Sequence, residues 1–188
     1  MPSLNIWDVN WSLDVEQCPC DVHLAEYLEA EKISGKSIFH FGTGGHHILG
    51  IRAADAGAGN VVLGITASPP EYSAYISLVT ARPEVGRIYK VFFGDIYQLE
   101  PRLLPELDIV TLFHLGEFRS ERNDAYRALT DAELTALLLD KLRRGGLMSF
   151  YTGSFAFDIA ERVIADLVGN GRLAPAGTFK SLALYRKP

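Results

Sequence analysis

The stretch that decides the fold of this chain is residues 36–68, KSIFHFGTGGHHILGIRAADAGAGNVVLGITAS. It opens with an apolar run of β-forming residues, breaks at the Gly-Thr-Gly-Gly of residues 42–45, and resumes with apolar residues at helical spacing. A second apolar run begins at Val61. The pattern predicts a βαβ unit with a glycine turn after its first strand. Because such a turn lies at the carboxyl edge of a parallel sheet, beside free helix N–H groups, we expect a ligand over residues 42–45.

Several short motifs follow the order found in a known family. His40-Phe41-Gly42-Thr43-Gly44 stands where class I S-adenosylmethionine (SAM) dependent methyltransferases carry an acidic residue, any residue, Gly, any residue, Gly. Residues 64–69 resemble the end of that family's second strand, residues 92–96 its third-strand motif, and residues 107–113 its fourth strand. The order of elements resembles the family over about residues 22–187.

The resemblance implies a fold, a cofactor and a set of binding residues. The fold is α/β: a three-layer αβα sandwich with a Rossmann-like, seven-stranded, mostly parallel sheet and an antiparallel C-terminal strand. It would form a single SAM-methyltransferase-like domain over residues 1–188, in which residues 1–20 are an N-terminal arm that can serve as a lid. The cofactor would be S-adenosylmethionine, held by His40, Phe41, Gly42, Thr43, Gly44, Thr66, Asp95, Ile96 and Phe113.

Two positions depart from the family pattern. His40 stands at the acidic position of the first motif, and Thr66 stands where an acidic residue would hold the ribose hydroxyls. A neutral histidine can donate or accept a hydrogen bond, but it provides no formal negative charge. The sequence therefore predicts that SAM affinity depends on the backbone of residues 42–45 and on Asp95, which would approach the adenine.

Composition narrows the classes of protein that remain. The chain has 188 residues, 48% of them hydrophobic, which suits one domain with a sizeable core. A net charge of -5 and a pI near 5.5 give no basic stripe for nucleic acid, so a small-molecule substrate is favoured. The N-terminus lacks a signal-peptide pattern, and no apolar run approaches about 18 residues, so we expect a cytoplasmic protein without membrane contact. The assembly state stays open, with a homodimer as one option.

Histidines concentrate at the predicted carboxyl edge, where His40, His46, His47 and His114 all fall, the last followed by Glu117. Imidazole titrates near pH 6.5, so a histidine facing a substrate can remove a proton as methyl transfer proceeds. His114 is the first choice as general base, and Glu117 is the second catalytic candidate. Two alternatives stay open: a metal site drawn from His46, His47, His114 and Glu117, and a structural role beside the glycine turn. The favoured prediction includes no metal.

The N-terminal segment carries Trp7 and Trp11, followed by Cys18 and Cys20. Tryptophans are costly to leave in water, so they either pin the arm to the core or form part of a lid over the ligand. The two cysteines are favoured as reduced thiols, because no second pair completes a four-thiolate zinc site; a redox or metal-touching pair is the alternative. Asp21 is expected to cap the helix that follows.

The second half of the chain predicts the remaining elements. A third strand is expected at residues 87–93, a capping box at residues 130–133, a helix that ends at residues 143–146, and a last strand at residues 179–186. The leading functional hypothesis is a SAM-dependent methyltransferase that acts on a small molecule with histidine assistance. The alternatives are a catalytically silent protein of the same fold that binds a ligand or partner, and a SAM-using enzyme that transfers the aminocarboxypropyl group.

Overall fold

The computed structural model describes residues 3–188. Its strands are β1 (Ser37–Phe41), β2 (Val61–Thr66), β3 (Tyr89–Phe93), β4 (Leu107–Leu112), β5 (Leu142–Tyr151), β6 (Ala174–Phe179) and β7 (Leu182–Arg186). Its α-helices are α1 (Cys20–Ala30), α2 (Ile48–Ala56), α3 (Pro69–Ala81), α4 (Pro83–Ile88), α5 (Glu121–Ala125), α6 (Asp131–Lys141) and α7 (Phe157–Gly169). Single 3-10 turns lie at Ile96–Gln98 and Pro101–Leu103.

The strands form one sheet in the order β3-β2-β1-β4-β5-β7-β6. Strands β1 to β5 pair in parallel, whereas β7 pairs antiparallel with both β5 and β6. The predicted seven-stranded, mostly parallel sheet with an antiparallel C-terminal strand is therefore confirmed. The strand order reverses between β1 and β4, and ligands of open α/β sheets bind at the carboxyl ends of the strands at such a point.

Helices cover both faces of the sheet, and side-chain alternation along β1 decides which face each residue joins. Phe39 and Phe41 belong to the apolar cluster that includes Leu134 and Leu138 of α6. Ile38 belongs to the opposite cluster, which includes Leu24 and other side chains of α1 and α2. Because successive side chains of a strand point to opposite faces, His40 shares the face of Ile38 and lies toward α1. That placement sets its contacts in the site.

Several predicted boundaries were wrong for local reasons. Pro83 stops α3 but also begins α4, since proline suits the first helical turn, and the third strand therefore begins at Tyr89 rather than at residue 87. Residues 143–146 lie inside β5, because α6 already ends at Lys141. The last strand is a hairpin of β6 and β7. The capping box was predicted correctly, with Thr130 accepting from the Glu133 N–H.

Asp21 is not the N-cap that the sequence suggested. Pro19 occupies the cap position of α1, and Asp21 lies in the first helical turn, buried against the sheet. The helix thus begins two residues earlier than expected, which turns Asp21 inward. Over residues 3–188, none of the helices combines the length and apolar character that crossing a membrane would require.

Candidate functional site

A cavity of about 650 Å³ opens at the carboxyl edge of the sheet. This volume is in the range of sites that enclose small molecules. The glycine turn after β1 forms its floor, the ends of β2, β3 and β4 form its sides, and the N-terminal arm forms a wall. Among the residues predicted to bind cofactor or substrate, the cavity is lined by Phe41, Gly42, Gly44, Thr66, Asp95, Ile96, His114 and Glu117.

Three residues predicted to contact the cofactor do not line the cavity. His40, Thr43 and Phe113 are each only 1% exposed and lie behind its wall. The His40 ring meets the Phe113 ring edge-on with centroids 5.9 Å apart, so the two pack on each other on the α1 side of the sheet. The reason is side-chain alternation: Phe41 faces the cavity, and its neighbour His40 therefore does not.

The glycine turn is shaped by two residues in left-handed conformation. Gly42 has φ 89° and Gly44 has φ 54°, values that favour glycine. A Cβ atom at Gly42 would lie 2.8 Å from His114 Cδ2, and one at Gly44 would lie 2.4 Å from His46 Nε2. Both glycines are thus required for backbone shape and for the close approach of a histidine ring.

A buried carboxylate supports His40 from behind. His40 Nδ1 shares a hydrogen bond of 2.8 Å with Thr111 Oγ1, while His40 Nε2 lies 3.5 Å from Asp21 Oδ1. The other Asp21 oxygen lies 3.8 Å from His46 Nε2. Burial opposes ionisation of Asp21, but His40, His46 and His114 outweigh it and hold the Asp21 pKa below its usual value. Asp21 also lines the cavity, so a carboxylate with a lowered pKa lies next to His40.

A second buried carboxylate lies beside the end of β2. Thr66 Oγ1 donates a hydrogen bond of 2.6 Å to Glu71 Oε2, and Thr43 Oγ1 lies 3.4 Å from the same oxygen. Glu71 is 3% exposed and lines the cavity, and burial raises its pKa. An acidic group thus stands next to Thr66, although it comes from the first turn of α3 rather than from the strand end.

Asp95 lines the cavity but is already held by the chain. Its Oδ1 accepts a hydrogen bond of 3.0 Å from the Tyr97 N–H. Its Oδ2 accepts one of 2.6 Å from Asn123 Nδ2 and another from the Tyr126 hydroxyl. A carboxylate oxygen has two acceptor positions, so Oδ1 keeps one for a ligand donor. The carboxylate is consequently fixed in orientation before any ligand arrives.

His114 connects a carboxylate to two thiols. Its Nδ1 lies 3.1 Å from Glu117 Oε2, and its Nε2 lies 3.8 Å from Cys18 Sγ and 3.9 Å from Cys20 Sγ. Burial disfavours the charged ring, but the contacts with Cys18 and Glu117 outweigh it and raise the His114 pKa to about 10. An imidazolium ring has both nitrogens protonated and cannot accept a further proton. The general-base role of His114 stays a prediction that this charge state opposes.

The two thiols lie against each other in the cavity wall, with Cys18 Sγ 3.4 Å from Cys20 Sγ. The hydrogen bond from Cys20, aided by His114, lowers the Cys18 pKa to about 5 although burial opposes this. The same hydrogen bond, together with burial, raises the Cys20 pKa. The lowered Cys18 pKa and the raised Cys20 pKa favour Cys20 as the donor of this hydrogen bond, with the Cys18 sulfur facing the His114 ring.

Glu117 is fixed by three donors and therefore orients His114. Its Oε1 accepts hydrogen bonds of 2.5 Å from Ser154 Oγ and 3.1 Å from the Phe155 N–H. Burial opposes its charge, but the contact with His114 prevails and lowers the Glu117 pKa. Its predicted catalytic role stays a prediction; the contacts give it a positioning role.

His47 belongs to the structural framework. It precedes α2 in left-handed conformation, with φ 46°. Its Nδ1 contacts the Tyr89 hydroxyl at 2.9 Å and its Nε2 contacts the Glu71 carbonyl oxygen at 2.9 Å. Burial lowers the His47 pKa to about 4. The metal set suggested by the sequence is therefore not assembled, since His47 faces away from His114.

The N-terminal arm, residues 3–19, forms one wall of the cavity. The Trp7 and Trp11 rings meet the Phe118 ring edge-on, at centroid distances of 5.3 and 5.2 Å. The Gly45 N–H donates a hydrogen bond of 2.8 Å to the Trp11 carbonyl oxygen, which ties the arm to the glycine turn. The arm is thus both pinned to the domain and in contact with the cavity, and its action as a lid stays a prediction.

Sequence reasoning missed Asp21 and Glu71, although each left a signal. Asp21 precedes Leu24, Ala25 and Leu28 at the i+3, i+4 and i+7 spacing of one helical face, and all four are buried. Glu71 stands four residues before the buried Tyr75 on α3. An acidic residue on an otherwise apolar helical stripe is unusual, because a buried charge needs partners.

The order and pairing of the strands are similar to those of solved methyltransferase structures. No family model matches the chain, and no curated protein matches it. Among solved structures, TrmN from Thermus thermophilus is similar with a TM-score of 0.60 and 14% identity, over 88% of this chain and 48% of that chain. This chain therefore spans about half the length of TrmN.

Two further structures are similar over nearly the whole chain. A putative rRNA-methylase from Clostridium thermocellum matches with a TM-score of 0.60 and 14% identity, over 94% of this chain and 100% of that one. The N-methyltransferase NodS from Bradyrhizobium japonicum, solved with S-adenosyl-L-homocysteine, matches with a TM-score of 0.61 and 13% identity, over 89% of this chain and 86% of that one. At these identities the comparisons establish the fold.

Proposed function

We propose that this chain is a SAM-dependent methyltransferase that acts on a small molecule. The observation that carries the proposal is the pair of buried carboxylates in the cavity. Asp21 stands behind His40, and Glu71 stands beside Thr66, so each position that lacks the expected acidic residue has one supplied from a helix. Burying two acidic groups costs free energy, and a positively charged, hydroxyl-bearing ligand would offset that cost.

The residues of the cavity fit SAM in an ordered way. The backbone of Phe41, Gly42 and Gly44 would offer polar groups at the turn, beside the His114 and His46 rings that pack on the two glycines. Glu71, positioned by Thr66, would accept hydrogen bonds from the ribose hydroxyls. Asp95 would use the free acceptor position of Oδ1 for the adenine amine, beside the apolar side chain of Ile96.

Asp21 would face the positively charged methionine portion. When bound, SAM supplies an activated methyl group, so the protein need contribute little beyond alignment and exclusion of water.

The acceptor would enter on the side of His114, Glu117 and the arm. Cys18, His114 and Glu117 form a connected set there, and Phe118 with the two tryptophans shields it. The unprotonated members of this set are Cys18 and Glu117, whose pKa values are both lowered. Because Glu117 is held by His114, Ser154 and Phe155, Cys18 would be the group that takes a proton from an acceptor. His114 would keep that thiolate charged, and Glu117 would keep the ring in place.

A small molecule is the acceptor class that the charge distribution supports. The chain carries a net charge of -5, and the residues nearest the cavity add the buried acids Asp21 and Glu71. A polyanionic strand gains most of its affinity from clustered lysine and arginine, and the cavity lining includes neither. Trp11 of the arm and Tyr151 both line the cavity that would hold this compact ligand.

Isothermal titration with SAM and with S-adenosyl-L-homocysteine tests the proposal first. We expect saturable binding of both at one site, followed by methyl transfer when labelled SAM is offered with a panel of metabolites. The absence of measurable heat at millimolar ligand would contradict every use of SAM by this chain. Binding without turnover on any acceptor would favour the silent ligand-binding alternative, which the full engagement of Asp95 Oδ2 also favours.

Transfer of the aminocarboxypropyl group is the remaining alternative. This alternative predicts the same binding of SAM but a different nucleoside product. That product would be methylthioadenosine, whereas methyl transfer would give S-adenosyl-L-homocysteine. Separation of the nucleoside products by chromatography distinguishes the two reactions directly.

A further inference from the structure

We propose that Cys18, Cys20 and His114 bind one zinc ion, with the fourth coordination position open to the cavity. Among residues 3–188, these three are the set of potential ligands that converges, with all three donor atoms within 4.8 Å of one another. Cysteine sulfur and histidine nitrogen are the ligands that zinc prefers. The inference rests on this geometry and holds whether or not the cavity binds SAM.

The distances match the edges of a coordination tetrahedron. With Zn–S bonds of about 2.3 Å and Zn–N bonds of about 2.0 to 2.1 Å, two sulfurs lie roughly 3.8 Å apart and a sulfur and a nitrogen roughly 3.6 Å apart. The observed separations are 3.4 Å between the sulfurs, and 3.8 and 3.9 Å from them to His114 Nε2. The donors need only small shifts to enclose an ion.

The surroundings of His114 are those of a metal ligand. Its Nε2 faces the thiols, while its Nδ1 lies 3.1 Å from Glu117 Oε2. A ligating histidine commonly donates its second N–H to a carboxylate, which fixes the tautomer and the ring orientation. Gly42 contributes as well, because a side chain there would collide with the ring. The imidazole is therefore held with the required nitrogen toward the sulfurs.

A cation would also balance the local charge. Asp21 Oδ1 lies 3.6 Å from Cys20 Sγ, so two sulfurs and a carboxylate share a largely buried volume. Ionised together without a cation they would repel one another, and burial would increase that repulsion. A divalent ion between the two thiolates would reduce this repulsion, because its positive charge would lie next to both sulfur atoms.

Three protein ligands with an open position are characteristic of catalytic rather than structural zinc. Cys18, Cys20 and His114 all line the cavity, so the open position faces its interior. Water would fill it in the resting protein. In combination with the proposed function, on which this step rests, the oxygen, nitrogen or sulfur of the acceptor would replace that water. The metal would increase the acidity of that atom, and its proton would pass to water in the cavity, because Cys18 as a metal ligand would no longer act as the base.

Cobalt substitution provides the test, without SAM present. The full chain is reduced, stripped with a chelator, and titrated with Co²⁺. We expect one cobalt per chain, with thiolate-to-cobalt charge-transfer absorption in the near ultraviolet and intense visible bands typical of tetrahedral geometry. Zn²⁺ should then displace the cobalt and abolish both signals. Weak octahedral bands, or no charge-transfer band, would overturn the proposal.

Variants assign the ligands. Cys18→Ser and His114→Gln should each weaken cobalt binding by at least tenfold, and Glu117→Gln should weaken it by 10- to 100-fold through loss of ligand orientation. His114→Cys restores a ligand and should add charge-transfer intensity, which separates ligand loss from misfolding. His23→Gln is the matched control, because His23 contacts Ser181 outside the cavity and should leave the titration unchanged.

A redox pair is the competing interpretation of the same two thiols. Oxidation to a disulfide would lower the mass by two hydrogens and leave no thiol for cobalt. If the fully reduced chain takes up no more cobalt than the Cys18→Ser variant, the metal site is excluded. If it binds one equivalent and both thiols become protected from alkylation, the metal site stands.

Discussion

Asp21 Oδ1 lies 3.5 Å from His40 Nε2, so a carboxylate on α1 stands directly behind the residue that replaces an acid at the first glycine motif. Charge at this edge of the sheet thus comes from a helix that precedes the βαβ unit. The arrangement separates two tasks: the histidine occupies the strand position, and the aspartate carries the charge.

Asp21→Asn should weaken SAM binding by roughly 10- to 100-fold, since a hydrogen bond to a charged group contributes about 1.5 to 3 kcal/mol. The variant keeps the shape of the side chain and removes its charge. Titration calorimetry with SAM, S-adenosyl-L-homocysteine and adenosine checks this. Adenosine lacks the methionine portion and should lose little affinity. Glu29→Gln, an exposed position on the same helix, is the control. Equal losses for all three ligands would count against a charge-specific role of Asp21.

Glu71→Gln should weaken all three ligands together, by about tenfold, because the ribose is common to them. The amide can still accept a hydrogen bond from Thr66, which preserves the local structure. The same calorimetric series measures the effect, and Glu84→Gln on α4, a fully exposed acid, is the matched control. A loss confined to SAM would place Glu71 away from the ribose.

His47 should make folding stability fall as the solution becomes acidic. Its pKa is lowered to about 4 in the folded chain and is about 6.5 when unfolded, so the unfolded state binds the proton more readily. The contribution of His47 is intact above pH 6.5 and is lost as the pH falls from 6.5 toward 4. By linkage the loss is about 2 kcal/mol between pH 7.5 and pH 5.

Urea unfolding at these two pH values measures that loss. His47→Gln removes the titrating ring while offering polar atoms to Tyr89 and Glu71, so its stability should depend less on pH than that of the parent chain. Because Asp21, Glu71 and His46 also titrate nearby, the difference between variant and parent is the informative quantity. An unchanged difference at the two pH values would show that His47 is not responsible.

Gly45→Ala should loosen the contact between the N-terminal arm and the glycine turn. A Cβ at Gly45 would lie 1.7 Å from Asn10 Oδ1, so the Asn10 side chain must turn away from the glycine turn. Trp7 and Trp11 are the two tryptophans of the chain, and both lie on the arm, so intrinsic fluorescence reports on it directly. We expect a red-shifted emission and weaker SAM binding.

Gly169→Ala provides the control for the arm experiment, because a Cβ at Gly169 would meet no atom within 4 Å. Gly169 is the last residue of α7 and is far along the chain from the arm. A red shift in Gly45→Ala without any change in SAM affinity would show that the arm is anchored by the turn but does not act as a lid.

The order of elements was accessible from the sequence because it depends on local patterns. A window of a few residues is enough to recognise each of these patterns: the apolar runs at Ile38 and Val62, the glycine turn, and the capping box at Thr130. The placement of Asp21 and the two cysteines was not accessible in this way. It depends on α1 and the arm folding onto β1 and β4, and contacts between residues about 20 to 100 positions apart leave no local period.

Helix α1 follows the arm directly, since only Pro19 separates Cys18 of the arm from Cys20 and Asp21 of the helix. Under the proposed function, an acceptor that displaced Cys18 would also displace the carboxylate beside His40, which would face the methionine portion of SAM. The two ligands would then be thermodynamically linked, and each would alter the affinity of the other by the same factor.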